Sequence, residues 1–375
     1  MPLRGISRVG CGSDSPSVAV ALSSGPWVAH ANPSGSGEPD VGSPWVRVPA
    51  RRCETFVVPS RPVPGITRRI EREASAPDLA KVLGQLSPTD AQSLLLEASR
   101  RRASDLRPSR LLELYRHNRF SGPSDVDPRE LLRWDLIAFE GLPPEFVALE
   151  LAPVCPLGTV SSVTGLSQDW AVSTVRNTEV VSDSTNALAL EHAVRRARAA
   201  PGTVVKLAAS HRVLRGQRFE NPGARPHFRL FSLSTGGRDT GNVGVELAAL
   251  SEHVGFYLLA LQRYLGPMVR LRVSFTEVGA ISRHDRVETL LLAPLHAAFP
   301  SVDIGWDPAR QAGRSYYRQL CYHIHAIHPD GRPRELVDGG DVDWAQKLLN
   351  NGKERLVVSG LGTEGLCRDF GAPRS

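Results

Sequence analysis

The chain has 375 residues, a length typical of two or three domains, and 41% of them are hydrophobic, as in ordinary soluble proteins. It contains no run of about 18 apolar residues, which excludes a conventional membrane-spanning helix. The net charge of +6 comes from arginines scattered along the chain, which argues against a dedicated nucleic-acid-binding stripe.

The cysteines and the N-terminus argue against two further classes of protein: those built on disulfides or cysteine-bound zinc, and those with a secretory signal sequence. Five cysteines are widely spaced and form no Cys-x-x-Cys pair, which argues against a disulfide framework or a cysteine-based zinc site. The apolar run at residues 17–22 is shorter than the ~7–15 residues of a signal sequence. We therefore expect a cytoplasmic protein.

The first 140 residues divide into two predicted parts. Residues 1–60 are rich in Gly, Pro and Ser without periodicity, so they are predicted to be a disordered tail. Residues 61–140 have helical spacing of apolar side chains and are predicted to be a helical extension. Within it, Ser87-Pro88 is a typical helix start, and further helices are predicted over 108–115 and 128–139.

Residues 141–371 are predicted to form an α+β core with a mainly antiparallel β-sheet flanked by helices. The predicted strands are 146–154, 171–182, two strands within 206–233, 269–276, 316–328 and 355–359. The predicted helices are 185–199, 243–264, 287–298, 344–350 and one that begins at Gly360.

The hairpin within 206–233 is the most informative segment. Arginines lead into its loop, and an Arg-aromatic cluster at 227–231 leads out of it. Guanidinium groups at the mouth of a hairpin suit an anion such as a nucleotide phosphate, which they contact through paired hydrogen bonds. The alternative is an ordinary hairpin with a solvated arginine face.

Several weak motifs follow one another between Phe146 and Phe370: a proline after a strand, the arginine hairpin, a tandem tyrosine, a glycine pair and a glycine-rich strand end. They are Pro153, Arg215 or Arg218, Tyr316-Tyr317, Gly339-Gly340 and Gly360-Gly362. Their order and spacing resemble the catalytic core of class II aminoacyl-tRNA synthetases, most closely the histidyl-tRNA synthetase branch. The resemblance implies that fold, and a homodimer through the Pro153 region.

Two registers of the hairpin fit the second motif of that class. Arg218 with Glu220 matches the Arg-x-Glu pattern, whereas Arg215 with Gln217 fits the strand better. In either register the resemblance implies that the arginine holds the α-phosphate of ATP, bound with Mg²⁺, as the catalytic cation. It also implies that the acid or amide meets the adenine and that Phe231 stacks on it.

The resemblance also implies substrate contacts. Asp183 and Thr185 occupy the place where the histidyl branch fixes the substrate's amino group; the alternative is that Asp183 only caps the following helix. Tyr316 and Tyr317 match a tandem-tyrosine signature. The pair Gly339-Gly340 is expected to let the backbone approach a ligand closely.

Two further places carry open alternatives. Gly360, Gly362 and Arg368 resemble the third motif, in which the arginine holds the γ-phosphate; the alternative is a glycine-rich turn before a helix. Arg238 and Asp239 lie where the histidyl branch reads its amino acid and are predicted to bind a different zwitterion or carboxylate. The alternative for that pair is a turn with a surface ion pair.

Departures from the family pattern weaken the expectation of catalysis. Ala312 and Asp341 stand where the family has arginines, and Cys367 replaces a glutamate. The two positions at which the family selects histidine, with a glutamine and a glutamate, fall near Leu233 and Gly237, so both side chains are missing here. Without replacement, two lost cations leave little adenylation, because each preorganised charge is worth a few kcal/mol of barrier. Three nearby arginines could substitute for them: Arg238, Arg310 and Arg314.

His323, His325 and His328 form a His-x-His-x-x-His pattern in a predicted strand. The first two share a face, so a metal site is conceivable. A polar sheet face is the preferred reading, because no carboxylate or cysteine obviously completes the set. No metal site is therefore predicted.

We expect a stand-alone class II synthetase-like protein that binds ATP and a small amino acid or carboxylate, forming an acyl-adenylate for a non-tRNA acceptor. The chain ends at Ser375, so no anticodon-binding domain is expected. The alternative is an inactive regulatory or binding paralogue with a protein partner, resembling the regulatory subunit of short-form ATP phosphoribosyltransferase. A tRNA-binding helper using Arg100–Arg102 is possible but not favoured.

Overall fold

A computed structural model describes residues 65–217, 225–280, 282–311, 313, 316–328 and 330–371. The predicted tail at 1–60 lies outside these ranges, as do Arg218, Glu220, Ala312 and Arg314. Pro64–Ser375 forms one compact unit.

The helical extension begins this unit, and three of its helices start with the residue types that the sequence predicts for a helix N-terminus. Ser87 Oγ accepts a hydrogen bond from Asp90 N at 3.1 Å, and proline occupies the first turn of three of these helices. The first four helices have no buried residue, whereas the fifth buries Trp134 completely. The helices are α1 (Gly65–Glu73), α2 (Leu79–Gln85), α3 (Pro88–Ser104), α4 (Pro108–His117) and α5 (Pro128–Glu140).

An eight-stranded sheet forms the centre of the core, in the order β1-β4-β5-β10-β9-β8-β6-β7. β1 with β4 and β6 with β7 pair in parallel, and the other neighbours pair antiparallel. A separate two-stranded sheet joins β2 and β3. The strands are β1 (Val147–Ala148), β2 (Val154–Pro156), β3 (Thr178–Val180), β4 (Val205–Leu214), β5 (His227–Arg238), β6 (Arg270–Glu277), β7 (Asp303–Trp306), β8 (Leu320–Ile327), β9 (Pro333–Val342) and β10 (Glu354–Gly362).

Helices cover both faces of the large sheet. The main hydrophobic core joins one face to α5, α7 and α11, while α6 and α10 pack on the other face through smaller clusters. The remaining helices are α6 (Ser184–Arg198), α7 (Gly244–Leu265), α8 (His284–Val287), α9 (Ala293–Ala298), α10 (Trp344–Leu349) and α11 (Thr363–Phe370), with π-helical turns at Val160–Thr164 and Glu288–Leu292.

Helix α7 is the core helix of the domain. Among the described residues it is the one helix long and apolar enough to cross a membrane by length and composition. In the fold, 61% of its most apolar window is buried in the protein. His253 and Tyr257 of this helix lie against β5, where the Tyr257 hydroxyl donates to Phe231 O at 3.2 Å.

The architecture confirms the predicted α+β class and the mainly antiparallel sheet. Several boundaries differ. The predicted strand over 146–154 is two short strands in different sheets, and the predicted helix over 287–298 begins at His284 and contains a π-helical turn. Strands β7 and β9 were not predicted.

Candidate ligand-binding site

A cavity of about 480 Å³ opens on the sheet face that carries α6. It is enclosed by the first turn of α6, the start of β5, the end of β10, the middle of β9, and by Gly313, Tyr316 and Tyr317. An apolar wall completes it, and its residues include Val160, Leu166, Trp170 and Phe228.

Asp183 and Thr185 are positioned by the start of α6. One carboxylate oxygen of Asp183, Oδ1, accepts the Thr185 backbone N–H at 2.9 Å and the Thr185 hydroxyl at 2.7 Å. Asp183 therefore is the cap of α6, and it also lines the cavity, as does Thr185. The N-terminus of α6 therefore forms part of the cavity wall.

Arg215 follows β4 directly and enters the cavity from the hairpin. Its Nε donates to Ser182 O at 2.9 Å and its Nη2 to Asp183 Oδ2 at 3.0 Å, and its guanidinium lies 5.0 Å above the Phe228 ring. Gly216 is required next, because a Cβ there would lie 2.6 Å from Asp169 O. Of the two registers, the described residues place Arg215 in the cavity.

Tyr316 and Tyr317 form the opposite wall. Their rings meet edge to face at 5.0 Å, and Tyr316 meets Trp344 in the same way. Burial is the main cause that raises the pKa of both phenols well above the usual range, so both stay protonated and neutral. Tyr316 makes a hydrogen bond with Thr185, and Tyr317 makes one with Asp338.

Asp338 and Glu335 project into the cavity from β9. Arg310, whose side chain is 3% exposed, donates to Asp338 Oδ1 at 2.9 Å and lies 5.5 Å from the Tyr317 ring centroid. Burial raises the pKa of both carboxyls; Asp338 raises the pKa of Glu335 further, and Asp183 raises that of Asp338. Sequence reasoning named Arg310 only as a substitute cation and missed both acids.

The glycines of β10 line the cavity, but the predicted γ-phosphate arginine does not. Gly360 and Gly362 belong to the lining. Arg368 lies outside it and donates to Asp125 Oδ1 at 3.0 Å, a bond that lowers the pKa of Asp125. The carboxylate of Asp125 thus occupies the guanidinium that the resemblance assigns to ATP.

Phe231, the predicted adenine platform, faces the other side of the sheet. It is fully buried, stacks on Phe256 with centroids 5.6 Å apart, and meets Trp134 edge to face. Because side chains alternate along a strand, the cavity receives Phe228 and Leu230 instead. The structure therefore corrects the prediction of Phe231 as the adenine platform, because this side chain points to the core, on the side of the sheet opposite the cavity.

Gly339 and Gly340 make room for tyrosine rings, not for a ligand. A Cβ at Gly339 would lie 2.7 Å from Tyr322 Cε1, and one at Gly340 would lie 2.6 Å from Tyr317 Cδ1. Neither glycine lines the cavity. The sequence predicts that a ligand approaches these two glycines, whereas the atoms that approach them belong to the protein's own tyrosine rings.

We expect Gly340→Ala to lower the free energy of unfolding by ~1–3 kcal/mol, because the new methyl overpacks Tyr317 and the Leu320 carbonyl. Chemical denaturation measures it. Gly352→Ala is the matched control, since a Cβ there meets nothing within 4 Å, and we expect a change within ~0.5 kcal/mol. Equal effects of the two substitutions would contradict the packing role.

Arg238 and Asp239 lie at the far end of β5, away from the cavity. Asp239 Oδ2 pairs with Arg355 Nη2 at 2.6 Å, and Arg238 is exposed at the strand end. Neither lines the cavity, so the predicted amino-acid contact is not made there. The alternative of a surface ion pair within the turn differs from the observed one, because Asp239 pairs with Arg355 of the neighbouring strand.

Asp341 and Cys367, two of the departures from the family pattern, are also buried away from the cavity. Asp341 Oδ1 accepts Gln319 N at 3.0 Å and Leu320 N at 2.7 Å. Burial raises the pKa of Asp341 to about 6. Burial also raises the pKa of Cys367, to about 11.

The raised pKa of Asp341 predicts a specific pH dependence of stability. Its folded value of about 6 exceeds the ordinary 3.8, so stability is greatest below 3.8 and is lost as the pH rises through 6. The full difference corresponds to ~3 kcal/mol. In Asp341→Asn we expect this loss to disappear, since the amide oxygen can still accept both backbone bonds.

Urea unfolding at pH 4.5 and pH 8 would measure ~2 kcal/mol of this difference, because the unfolded carboxyl is already mostly ionised at pH 4.5. The exposed Asp303→Asn serves as control, because its side chain is 65% exposed. If Asp341→Asn keeps the pH dependence of the unchanged protein, the carboxyl is not the buried group that causes it.

The described cavity residues fit a nucleoside triphosphate poorly. Among the described residues that line the cavity, one is an arginine, Arg215. Three others carry carboxylates: Asp183, Glu335 and Asp338. Phe231 and Arg368 are placed elsewhere, while Arg218 and Glu220 lie outside the described ranges. ATP with Mg²⁺ therefore stays a prediction, and no reaction step is derived through it.

No family model and no curated protein matches the chain. Among solved structures, an ATP phosphoribosyltransferase regulatory subunit/histidyl-tRNA synthetase from Bacillus halodurans is similar with a TM-score of 0.50 and 15% identity, covering 67% of this chain and 82% of that one. The apo histidyl-tRNA synthetase of S. aureus is similar with a TM-score of 0.50 and 15% identity, covering 67% and 70%.

Both likenesses cover two thirds of this chain and more than two thirds of the other structure. At this identity the likeness concerns the fold. The chain therefore has the catalytic-core fold of class II aminoacyl-tRNA synthetases, in the form shared by histidyl-tRNA synthetase and the regulatory-subunit relative.

Proposed function

We propose that the chain is a non-adenylating binding protein whose cavity takes a small molecule with a protonated amino group, such as an amino acid. The observation that supports this most is the charge around the cavity: among the described residues Asp183, Glu335 and Asp338 face it, against the guanidiniums of Arg215 and, behind Asp338, of Arg310. In the cell the protein would act as a regulatory or binding subunit.

The carboxylates suit an ammonium group. Asp338 and Glu335 repel each other and have raised pKa values, so a positive charge placed between them favours their ionised forms. The neutral phenols of Tyr316 and Tyr317 offer hydrogen bonds and ring faces to the same group. The apolar wall at Trp170 and Phe228 suits a hydrocarbon side chain.

Arg215 suits the other end of an amino acid. Its guanidinium is fixed by Ser182 O, Asp183 and the Phe228 ring, and its side chain is 25% exposed to the cavity. A fixed guanidinium pairs with a carboxylate with little loss of side-chain entropy. One zwitterion could therefore contact Arg215 and the acids of β9 together.

The Asp125–Arg368 pair argues against triphosphate binding. A γ-phosphate at Arg368 would either displace the Asp125 carboxylate or lie beside it and be repelled by it. The segment that carries Asp125 is also fastened to the hairpin, because Arg119 Nη1 donates to Gln217 O at 2.9 Å and His227 Nε2 lies 2.6 Å from Gly122 O. Its displacement would break several contacts.

A panel of the twenty amino acids and their N-acetyl forms tests the proposal. We expect at least one free amino acid to raise the melting temperature, and its N-acetyl form, which keeps the carboxylate but loses the positive charge, to have no effect. Equal stabilisation by the free and the N-acetylated amino acid would show that the cavity carboxylates do not bind an ammonium group.

A second candidate is the predicted acyl-adenylate-forming ligase, which Arg215, Gly360 and Gly362 in the cavity favour. ATP–pyrophosphate exchange over the same amino acids distinguishes the two. Exchange with any amino acid supports the ligase. We expect none, and we also expect Asp125→Ala, which frees Arg368, to leave that result unchanged.

We infer a homodimer through the region of Pro153. An apolar groove of about 800 Å³ lies there between the β1–β2 segment, α6 and α10, and includes Val154, Leu190 and Val194. Val194 is 46% exposed and Val154 is 37% exposed, and both line this apolar groove. A second copy of the chain would cover it.

We expect the protein to elute as a dimer, with Val194→Glu shifting it to monomer because a charge would be buried in the interface. Size-exclusion chromatography with light scattering measures the mass. Leu259→Glu is the control, since Leu259 is 61% exposed on α7, on the opposite face of the sheet. A monomeric unchanged protein, or a Val194→Glu dimer, contradicts the inference.

A further inference from the structure

Strands β8 and β9 present two imidazoles and two carboxylates on the cavity side of the sheet. His325 lies opposite Glu335, and His323 lies opposite Asp338. The ligand-capable atoms of His323, His325 and Glu335 all lie within 4.8 Å of one another. We propose that these three residues bind a divalent transition-metal ion, with Zn²⁺ the best match.

A β-bulge brings these side chains together. Residues 335 and 338 are three apart, so in a regular strand they would point to opposite faces. The pairing passes from Ile324–Val337 to His325–Glu335, which leaves Leu336 as the extra residue. The bulge thus turns Glu335 onto the face of both histidines, an arrangement that a plain strand cannot make.

The distances suit a small ion. His323 Nε2 lies 3.7 Å from Glu335 Oε2. In a tetrahedral zinc site with bonds of ~2.0–2.1 Å, neighbouring ligand atoms are about 3.4 Å apart. Rotations that move the atoms by about 1 Å or less would therefore close the set from its 4.8 Å limit.

The histidines and the carboxylate match the preferences of zinc. Imidazole nitrogen with one carboxylate is a common set for Zn²⁺, and three protein ligands leave one position open. His325 Nδ1 is buried and has no hydrogen-bond partner among the described residues. A buried imidazole nitrogen of this kind is costly unless something occupies its lone pair or takes its proton.

Asp338 has a supporting place beside the ion. Arg310 Nη2 holds its Oδ1 at 2.9 Å, so this oxygen is already engaged, and Glu335 is the carboxylate that lies within reach of both histidines. Asp338 Oδ1 also lies 3.5 Å from His323 Nε2. Because Glu335 and Asp338 both line the cavity, the metal and the ammonium group of the proposed function are alternative occupants of this part of it.

Sequence reasoning preferred a polar sheet face because no carboxylate was seen to complete the histidine set. The missing carboxylate comes from the next strand, ten residues beyond His325 in the chain. His328, the third histidine of the sequence pattern, is not part of the set, since it stacks on Phe370 with centroids 4.5 Å apart.

Metal binding to the full chain, stripped with a chelator and measured without any amino acid, tests the inference independently of the proposed function. We expect one Zn²⁺ per chain by calorimetry, and intense visible bands on replacement by Co²⁺, as in a four-coordinate site. Glu335→Gln and His325→Gln should each weaken Zn²⁺ binding at least tenfold. His328→Gln should not change it.

Glu335→Gln decides the matter if a histidine variant fails to fold, because the Glu335 side chain is 52% exposed and the amide has the same shape. Unchanged Zn²⁺ affinity in a folded Glu335→Gln protein, or no Zn²⁺ binding by the unchanged chain, overturns the inference.

Discussion

Glu354→Ala is expected to lower the free energy of unfolding by ~3–5 kcal/mol, because it leaves a buried guanidinium without its carboxylate. Arg196 and Glu354 side chains are each 5% exposed. Their contact is doubly hydrogen-bonded, Nε to Oε2 at 2.9 Å and Nη2 to Oε1 at 3.1 Å. The expected loss is a large fraction of the stability of an ordinary domain.

The pair also joins two elements of the site. Arg196 lies on α6, whose first turn carries Asp183 and Thr185, and Glu354 begins β10, whose end carries Gly360. Loosening the pair should therefore weaken ligand binding as well as stability. Thermal unfolding and the amino-acid panel on the same variant measure the two effects.

Asp303→Ala is the matched control for this prediction. It removes the partner of Arg272, but those side chains are 65% and 53% exposed, so we expect a loss below ~1 kcal/mol. A Glu354→Ala protein no less stable than Asp303→Ala would contradict the account. The double change Arg196→Met with Glu354→Leu should recover much of the loss.

Asp338→Asn is expected to weaken binding of the stabilising amino acid at least tenfold, which is ~1.4 kcal/mol or more. The amide keeps the shape and loses the charge that pairs with the ammonium group. Because burial raises the pKa of Asp338, affinity in the unchanged protein should rise with pH as the carboxyl ionises. In Asp338→Asn that rise should shrink.

Calorimetric titration at two pH values measures both effects. Asp303→Asn also removes one carboxylate, at an exposed strand end, and should leave affinity unchanged. Full affinity in Asp338→Asn would show that the ammonium group is held elsewhere in the cavity.

The sequence-predicted site residues that the structure brings together in the cavity are those fixed by local signals. Asp183 begins a helix, Arg215 follows a strand that ends in Val213-Leu214, and Gly360 with Gly362 ends a strand. Each signal lies within a few residues of the position it predicts, so one sequence is enough to find it. The α+β class follows from the same elements.

The wrong predictions have two causes: the face of the sheet to which a side chain points, and contact partners that lie far away in the sequence. Phe231 was chosen by letter pattern, whereas facing depends on the pairing of β4 with β5, in which Phe231 lies opposite Ser210 and Phe228 opposite Val213. A count of two along the strand from Leu230 would have selected Phe228. Arg368 was assigned a phosphate because nothing local reveals Asp125, which comes from the helical extension.

Strand β9 could not be predicted from its composition. It contains Asp-Gly-Gly-Asp, residues that are depleted in strands, and its glycines are there to admit Tyr317 and Tyr322 from β8 and the segment before it. Its acids acquire their role only when Arg310 and the histidines of β8 lie beside them. Tertiary packing decides this strand.

Titration of one protein preparation with the stabilising amino acid and, separately, with MgATP tests the central claim most directly. The cavity charge predicts heat and saturation for the amino acid, at one molecule per chain, and none for MgATP at the same concentrations. Saturable MgATP binding that is lost in Arg215→Ala would contradict the account and would make the cavity a nucleotide site.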